Sequence, residues 1–255
     1  MSFRNIRPLH ILWQEGITQE MLQGVFYGVM RILYLAGVFE EFKFNLHHLG
    51  QQRQPDWHQG SVLNPYKSLD GYIHWSRLNP HRSLDWYIRW ARINSKKEKH
   101  LNSKALLDAL AGNPICKAEL RYELVVVNEP LHLSSTSQRE IGGIARTGQG
   151  TVITTHDHLH LLQSLWRRSR KNTQKRQSEF FLSTQMRTIH ELGHVFGLFP
   201  GTSKENPSDE EIKKTHCQKN CVMYWQLNTE LLKKIELSPF CPDCLEKLKQ
   251  FFIEP

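Results

Sequence analysis

The chain has 255 residues, 39% of them hydrophobic and 23% charged, which excludes a disordered or fibrous protein and allows a buried core in one large domain or two small ones. The most apolar early stretch, Val25 to Phe39, is interrupted by Arg31 and is too short to cross a bilayer, so no membrane segment is expected. No apolar run leads to a small-residue cleavage site near the N-terminus, and a cytoplasmic location is the default expectation; the net charge of +8 favours acidic partners only through non-specific electrostatics.

Ile6 to Trp13 reads as a first strand, and Thr18 to Ala36 as a helix with apolar residues at helical spacing and Thr18 placed to cap it. Phe39 to Leu46 alternates like a half-buried strand. Residues 51–100 read as an insertion, within which Asn64–Leu78 and Asn79–Ile93 are tandem copies identical at nine of fifteen positions. Two copies fall short of a repeat architecture, so the duplication is read as a tolerated surface insertion. Its aromatics Tyr72, Trp75, Trp86, Tyr87 and Trp90 would pack on the body of the protein, an aromatic binding surface being the alternative.

Ser103 to Leu110 is predicted as a short helix ended near Gly112 and Pro114, Tyr122 to Asn128 as a buried strand, and Gly142 to Thr155 as a hairpin turning at Gly148 to Gly150. His156, His158 and His160 then alternate as on a strand; they are either surface histidines or a separate metal patch. Arg167, Arg168, Arg170, Lys171, Lys175 and Arg176 form the densest basic run. Without interleaved aromatics it reads as a solvated helix end or loop, with nucleic acid contacted through 167–176 as the alternative.

The segment Thr188-Ile189-His190-Glu191-Leu192-Gly193-His194 is an H-E-x-x-H motif inside a run of helical periodicity, where Leu182, Met186, Ile189, Gly193 and Phe196 form one stripe. His190 and His194, four residues apart on a helix, project from one face a turn apart and can ligate one zinc ion. Glu191 beside them is placed to accept a proton from water without being a ligand. Gly197 follows, able to leave the helix with positive φ and return the chain toward the metal. The next histidine is His216, a candidate third ligand. Glu205, Glu210 and Glu211 lie between, so a glutamate ligand remains open.

Cys217, Cys221, Cys241 and Cys244 are spaced C-x3-C-x19-C-x2-C, matching a tetrahedral thiolate zinc site; two disulfides are the alternative. Cys116 is left over and reads as a small apolar residue.

With these residues in place, the second half of the chain resembles the archaemetzincins, whose pattern runs H-E-x-x-H-x-x-G-x-x-H-C, a short gap to C-x-M, then seventeen residues to C-x-x-C. The ending here is Cys221-Val222-Met223, seventeen residues, and Cys241-Pro242-Asp243-Cys244. Gly142-Gly143-Ile144-Ala145 with Thr151-Val152-Ile153-Thr154 looks like the family's strand pair before the active helix. The resemblance implies two zinc ions per chain: a catalytic one on His190, His194 and His216 with Glu191 as general base, and a structural one on the four cysteines. Met223 would form the Met-turn under the catalytic metal. Two features depart from the pattern. Sixteen residues, Pro200 to Thr215, separate Phe199 from His216, and the first cysteine pair is one residue closer. Deleting Pro200–Thr215 on paper restores H-E-L-G-H-V-F-G-L-F-H-C, so these residues are read as a polar surface loop inserted into an intact site.

The expectation is a single α/β domain over 1–255 with a metzincin-like mixed sheet, flanking helices, an active-site helix carrying H-E-x-x-H, and a small zinc lobe at 216–255. Its predicted activity is that of a zinc metallopeptidase, a hydrolase acting on peptide or protein substrates; the resemblance adds aminopeptidase-like or restricted endopeptidase action. A substrate would lie antiparallel to an edge strand near Gly148–Thr154. The competing readings are an inactive zinc-stabilised binding module and a peptidase with a glutamate third ligand from 200–215.

Overall fold

The computed structural model describes residues 3–14, 17, 19–42, 44–48, 101–112, 120–133, 140–156, 173–199 and 207–253. The duplication, Cys116, Glu205, His158, His160 and the basic residues 167–171 lie outside them.

The fold is α/β, a mixed sheet with helices on both faces. Strands β1 (Leu9–Trp13), β2 (Phe44–His48), β4 (Tyr122–Val127), β7 (Gly143–Arg146) and β8 (Gly150–Thr154) form one sheet in the order β2-β1-β4-β8-β7. The first three pairings in this order are parallel, Leu9 pairing with both Phe44 and Tyr122, and Glu123 with Gly150. Only β7 is antiparallel, paired Gly143 to Ile153 at the outer edge. β3 (Leu101–Asn102), β5 (Leu131–His132) and β6 (Glu140–Ile141) make a second, small sheet.

Parallel strands covered on both faces need apolar side chains in both directions, which explains the unbroken Leu124-Val125-Val126-Val127. Leu9, Ile11, Trp13, Leu124, Val126 and Ile153 face one way, into a core shared with α1 (Gln19–Ala36) and α3 (Thr173–Val195). Leu12, Val125, Val127 and Val152 face the other way, against Leu106 and Leu107 of α2 (Ser103–Gly112). Helix α2 is capped by Asn102, whose side-chain oxygen accepts from Ala105 N at 3.0 Å. Helices α1 and α3 lie along each other on the larger core's side.

The first strand begins later than the periodicity predicts, at Leu9. Pro8 has no N–H to give a ladder, and Asn5 turns the chain with φ +59°. The strand expected over Phe39–Leu46 is also shifted. After α1 the chain must reverse, and it does so with Gly37 at φ +75° and a 3-10 turn at Phe39–Glu41 before β2 starts. A further correction concerns the sheet edge: β8, which covers most of Gly148–Thr154, lies between β4 and β7, so the outer strand on this side is β7.

The C-terminal part, with α4 (Asp209–Lys214), α5 (Thr229–Ile235) and α6 (Pro242–Phe252), joins the larger core through Val222, Met223, Leu231, Ile235, Leu248 and Phe252. Phe252 meets Phe196 at 4.9 Å and Phe42 at 5.6 Å between ring centroids, both edge-on. Arg4 N donates to Phe252 O at 2.7 Å, so the N-terminal segment straps the last helix in place. Phe252→Ala should therefore cost about 3–5 kcal/mol, the range for removing a buried aromatic. Denaturant unfolding measures this, and a loss under 1 kcal/mol would show that α6 is not part of the main core.

Candidate metal centre

Helix α3 brings His190 and His194 to one face, and its C-terminus is closed by backbone geometry. Leu198 N donates to Gly193 O at 2.9 Å and Gly197 N to His194 O at 3.1 Å, the paired bonds of a Schellman motif, with Gly197 at φ +84°. The remaining carbonyls are met by the β7–β8 turn: Gly148 N reaches Val195 O at 2.8 Å, and Thr147 Oγ1 donates to His194 O at 3.0 Å. Every acceptor of the last turn thus has a partner, and the hairpin is fixed against the helix end.

The Schellman turn sends Leu198 and Phe199 back over His194, whose Nδ1 donates to their carbonyls at 2.8 and 2.6 Å. Phe199 holds φ +49°, a left-handed conformation unusual for a bulky residue. His190 Nδ1 donates to Val222 O at 2.7 Å, and His216 Nδ1 to Ile212 O at 2.7 Å. All three imidazoles therefore commit Nδ1 to a backbone carbonyl, leaving Nε2 with its lone pair. His190 and His194 Nε2 lie 3.2 Å apart, and one ring nitrogen from each of the three histidines falls within 4.8 Å of the others. An N–H···N bond would tie one pair of nitrogens; it would not gather three. Three neutral donors converging with their second nitrogens fixed is the arrangement a borderline-soft divalent cation such as zinc takes.

Burial keeps these rings neutral. His190 is held well below its ordinary pKa by desolvation and then by His194 and His216; burial, followed by His216, lowers His194 to about 4. His216 is also lowered by burial, opposed by its bond to Ile212. Glu191 is buried next to them, and desolvation pushes its carboxyl up to about 8, against the attraction of Arg187. Arg187, one turn earlier on α3, also donates to Thr154 O at 2.6 Å.

Two close approaches fix the helix around the site. A Cβ on Gly143 of β7 would stand 2.7 Å from Glu191 Cδ, and one on Gly193 would lie inside the van der Waals shell of Met223 Sδ. Met223 is fully buried, with its sulfur against Gly193, which lies between His190 and His194 in the chain.

The second cluster adjoins the first. The Sγ atoms of Cys217, Cys221, Cys241 and Cys244 lie within 4.8 Å of one another, all four thiols are free, and Cys217 and Cys241 Sγ are 3.8 Å apart. A tetrahedron with metal–sulfur bonds of about 2.3 Å has edges of about 3.8 Å, whereas a disulfide is about 2.05 Å. Lys219 N and Cys241 N donate to Cys217 and Cys221 Sγ, each at 3.4 Å. Cys221 is lowered to about 6 by the Cys244 thiol, burial raises Cys217 to about 11, and Cys244 rises because it donates to Cys221.

No protein-family profile and no curated protein matches the sequence. Among solved structures, the chain is similar to the archaemetzincin from Methanopyrus kandleri, with a TM-score of 0.53 over 97% of this chain and 96% of that one, at 20% identity. The chain has the archaemetzincin fold.

On that fold, the described part of the 200–215 insert has no buried residue but is helical instead of an irregular loop. Residues 209–214 form α4, and its last turn carries the carbonyl that holds His216. Glu210 is exposed, and Glu211 caps α4 through Ser208; neither joins the histidine group. His156 lies past the end of β8 instead of continuing a strand. Lys175 and Arg176 fall in the first turn of α3. The residues missed from sequence are Arg187 and the carbonyls of Val222 and Ile212. Arg187 sits one turn before Glu191, a spacing that could have flagged it; carbonyl positions leave no such signal.

Linked protonation gives the metal-free chain a definite pH profile. The three histidines have depressed folded pKa values, so the unfolded chain binds more protons and their contribution is lost as pH falls below about 6.5, in the case of His194 down through about 4. Glu191 is raised, so its contribution is complete below about 4.5 and is lost as pH rises through about 8. Three groups outweigh one on the acid side. Melting temperature measured in chelator should peak between about pH 6 and 7 and fall more steeply toward pH 5 than toward pH 8. A monotonic rise from pH 5 to 8 would contradict the buried environment assigned to Glu191.

Proposed function

We propose that the protein is a zinc-dependent peptidase with a catalytic metal on His190, His194 and His216, a structural zinc on Cys217, Cys221, Cys241 and Cys244, and Glu191 as general base. The observation that carries this reading is the convergence of three neutral imidazoles, each with Nδ1 bound to a carbonyl, directly beside a buried carboxyl. Zinc held there supplies Lewis acidity toward a peptide carbonyl and toward water.

The protein's own groups do the rest. Glu191 accepts a proton from the attacking water on a carboxylate oxygen and returns it to the departing amine. Burial outweighs Arg187 in holding the carboxyl protonated, and a dication on the three histidines would add its charge to that of Arg187 in favouring the ionised form a base needs. Gly143 lets the carboxyl lie against β7, the outer strand, whose backbone can pair with an extended peptide and bring a scissile bond to Glu191. A peptide substrate needs no further cofactor. Resemblance to the archaemetzincins adds aminopeptidase-like or restricted endopeptidase action, which matched peptides with free and blocked N-termini would separate. A zinc-stabilised binding module would not require Glu191 in this position, which favours catalysis. Among the described residues no helix is long and apolar enough to cross a membrane, and four thiols held as metal ligands suit a reducing compartment such as the cytoplasm.

Glu191→Ala should lower kcat/KM on a cleavable peptide by about 10²–10⁴-fold while zinc content stays at two per chain by elemental analysis. Undiminished turnover would exclude Glu191 as the base. A wild-type content of one zinc per chain would remove one of the two sites.

A further inference from the structure

Sixteen residues separate Phe199 from His216, and the described part of them is ordered around the metal centre. Ser208 and Glu211 form a reciprocal capping box: Glu211 N donates to Ser208 Oγ at 3.3 Å, and Ser208 N to a Glu211 carboxylate oxygen at 2.9 Å. At the other end, Thr215 N and hydroxyl donate to Ile212 O at 3.0 and 2.8 Å, while His216 N donates to Lys213 O at 3.1 Å. His216 is thus still wound on the last turn of α4, and its Nδ1 reaches the Ile212 carbonyl four residues back. The Lys213 ammonium lies 4.8 Å from the ring centroid of Trp225, two residues after Met223, which ties the helix to the floor of the site.

We infer that α4 is a positioning element for the third metal ligand: the Ile212 carbonyl in its last turn fixes His216 Nδ1 and aims Nε2 at the point shared with His190 and His194. The inference rests on the three-histidine reading above. Its logic is the one α3 applies to His194, whose Nδ1 is also held by carbonyls at a helix C-terminus. The Ile212 carbonyl, within the last turn of α4, carries the negative end of that helix's dipole, so it both orients the ring and makes it a better donor, whereas the carbonyls of Leu198 and Phe199 lie past the end of α3 and orient the ring of His194 by hydrogen bonding alone. A free loop of the same length would let His216 rotate about χ1 and χ2, and metal binding would then have to order it.

The test uses the full chain loaded with cobalt(II), whose visible bands report coordination, with thiolate-to-cobalt absorption at the cysteine cluster as internal reference. Lys213→Pro breaks the last turn of α4, whereas Lys213→Ala removes only the contact with Trp225. Ser208→Ala with Glu211→Ala removes the capping box at a distance, and Ser208→Asp keeps a good cap. Lys213→Pro and the capping-box variant should bind metal at the histidine site about tenfold or more weakly, with altered visible bands and faster amide exchange at 211–215. Lys213→Ala and Ser208→Asp should match the wild type, and the thiolate bands should be unchanged throughout. If Lys213→Pro lost both sites through general damage, the capping-box variant alone would decide.

Wild-type affinity and bands in the helix-broken variants would overturn the inference. So would an equal loss in Lys213→Ala, which would put the hold on the side chain instead of the carbonyl. His216→Ala with undiminished affinity would remove the three-histidine reading and this inference with it. Tight histidine-site binding without peptide cleavage would sink only the peptidase reading and leave this one standing.

Discussion

An imidazole can face a metal with either nitrogen, and in a buried site the choice is made by whatever accepts the N–H of the other. Four backbone carbonyls make that choice here: that of Val222 for His190, those of Leu198 and Phe199 for His194, and that of Ile212 for His216. A neutral buried histidine must find an acceptor for its one N–H, and leaving it unpaired costs about 1–3 kcal/mol. The carbonyls are therefore part of the site as much as the rings are. Each is placed by a turn that exists for its own local reason: a glycine in left-handed conformation after α3, the cysteine-bearing loop, and the closing turn of α4.

The cysteine cluster reaches into the histidine site through that loop. Cys217 N donates to Met223 O at 2.9 Å, Tyr224 N to Cys221 O at 3.0 Å, and Val222 N to Pro239 O at 2.6 Å. The carbonyl that orients His190 therefore belongs to a residue flanked by Cys221 and Met223, and His216 directly precedes Cys217. Closing four thiolates around one dication would lock this loop, because the metal would offset the repulsion among the clustered thiolates. A metal held by the four cysteines would act on the histidine site through backbone alone, since Val222 directly follows Cys221 and His216 directly precedes Cys217.

Side-chain chemistry is what the sequence makes legible. The spacing of His190, Glu191 and His194, the four cysteines and the glycine three residues beyond the second histidine all encode geometry that follows from helix pitch and tetrahedral ligation. Strand Tyr122–Val127 and hairpin 143–154 were equally readable from apolar runs and turn glycines. The outer strand is not, since which member of a hairpin faces the sheet depends on a partner, β4, whose Glu123 pairs with Gly150, far away in sequence. The helix at 209–214 within the insert is not legible for a related reason. Its composition is that of a surface loop, and nothing in a side-chain pattern announces that the Ile212 carbonyl would be the acceptor for His216.

The two unassigned positions of H-E-x-x-H are set by packing. Leu192 is fully buried in the larger core, so it fixes which side of α3 faces the sheet. Gly193, a further 100° around the helix, admits the Met223 thioether, while on the flank where Glu191 projects, the missing side chain of Gly143 admits the carboxyl. The helix is thus held from three directions by contacts that tolerate almost no rotation. Turning α3 by even 20° to relieve one of them would press Gly193 onto sulfur or Glu191 onto strand β7, and would swing both histidine nitrogens away from His216. The rigidity needed to gather three ligands is therefore supplied by the residues between and opposite them, before any metal contributes.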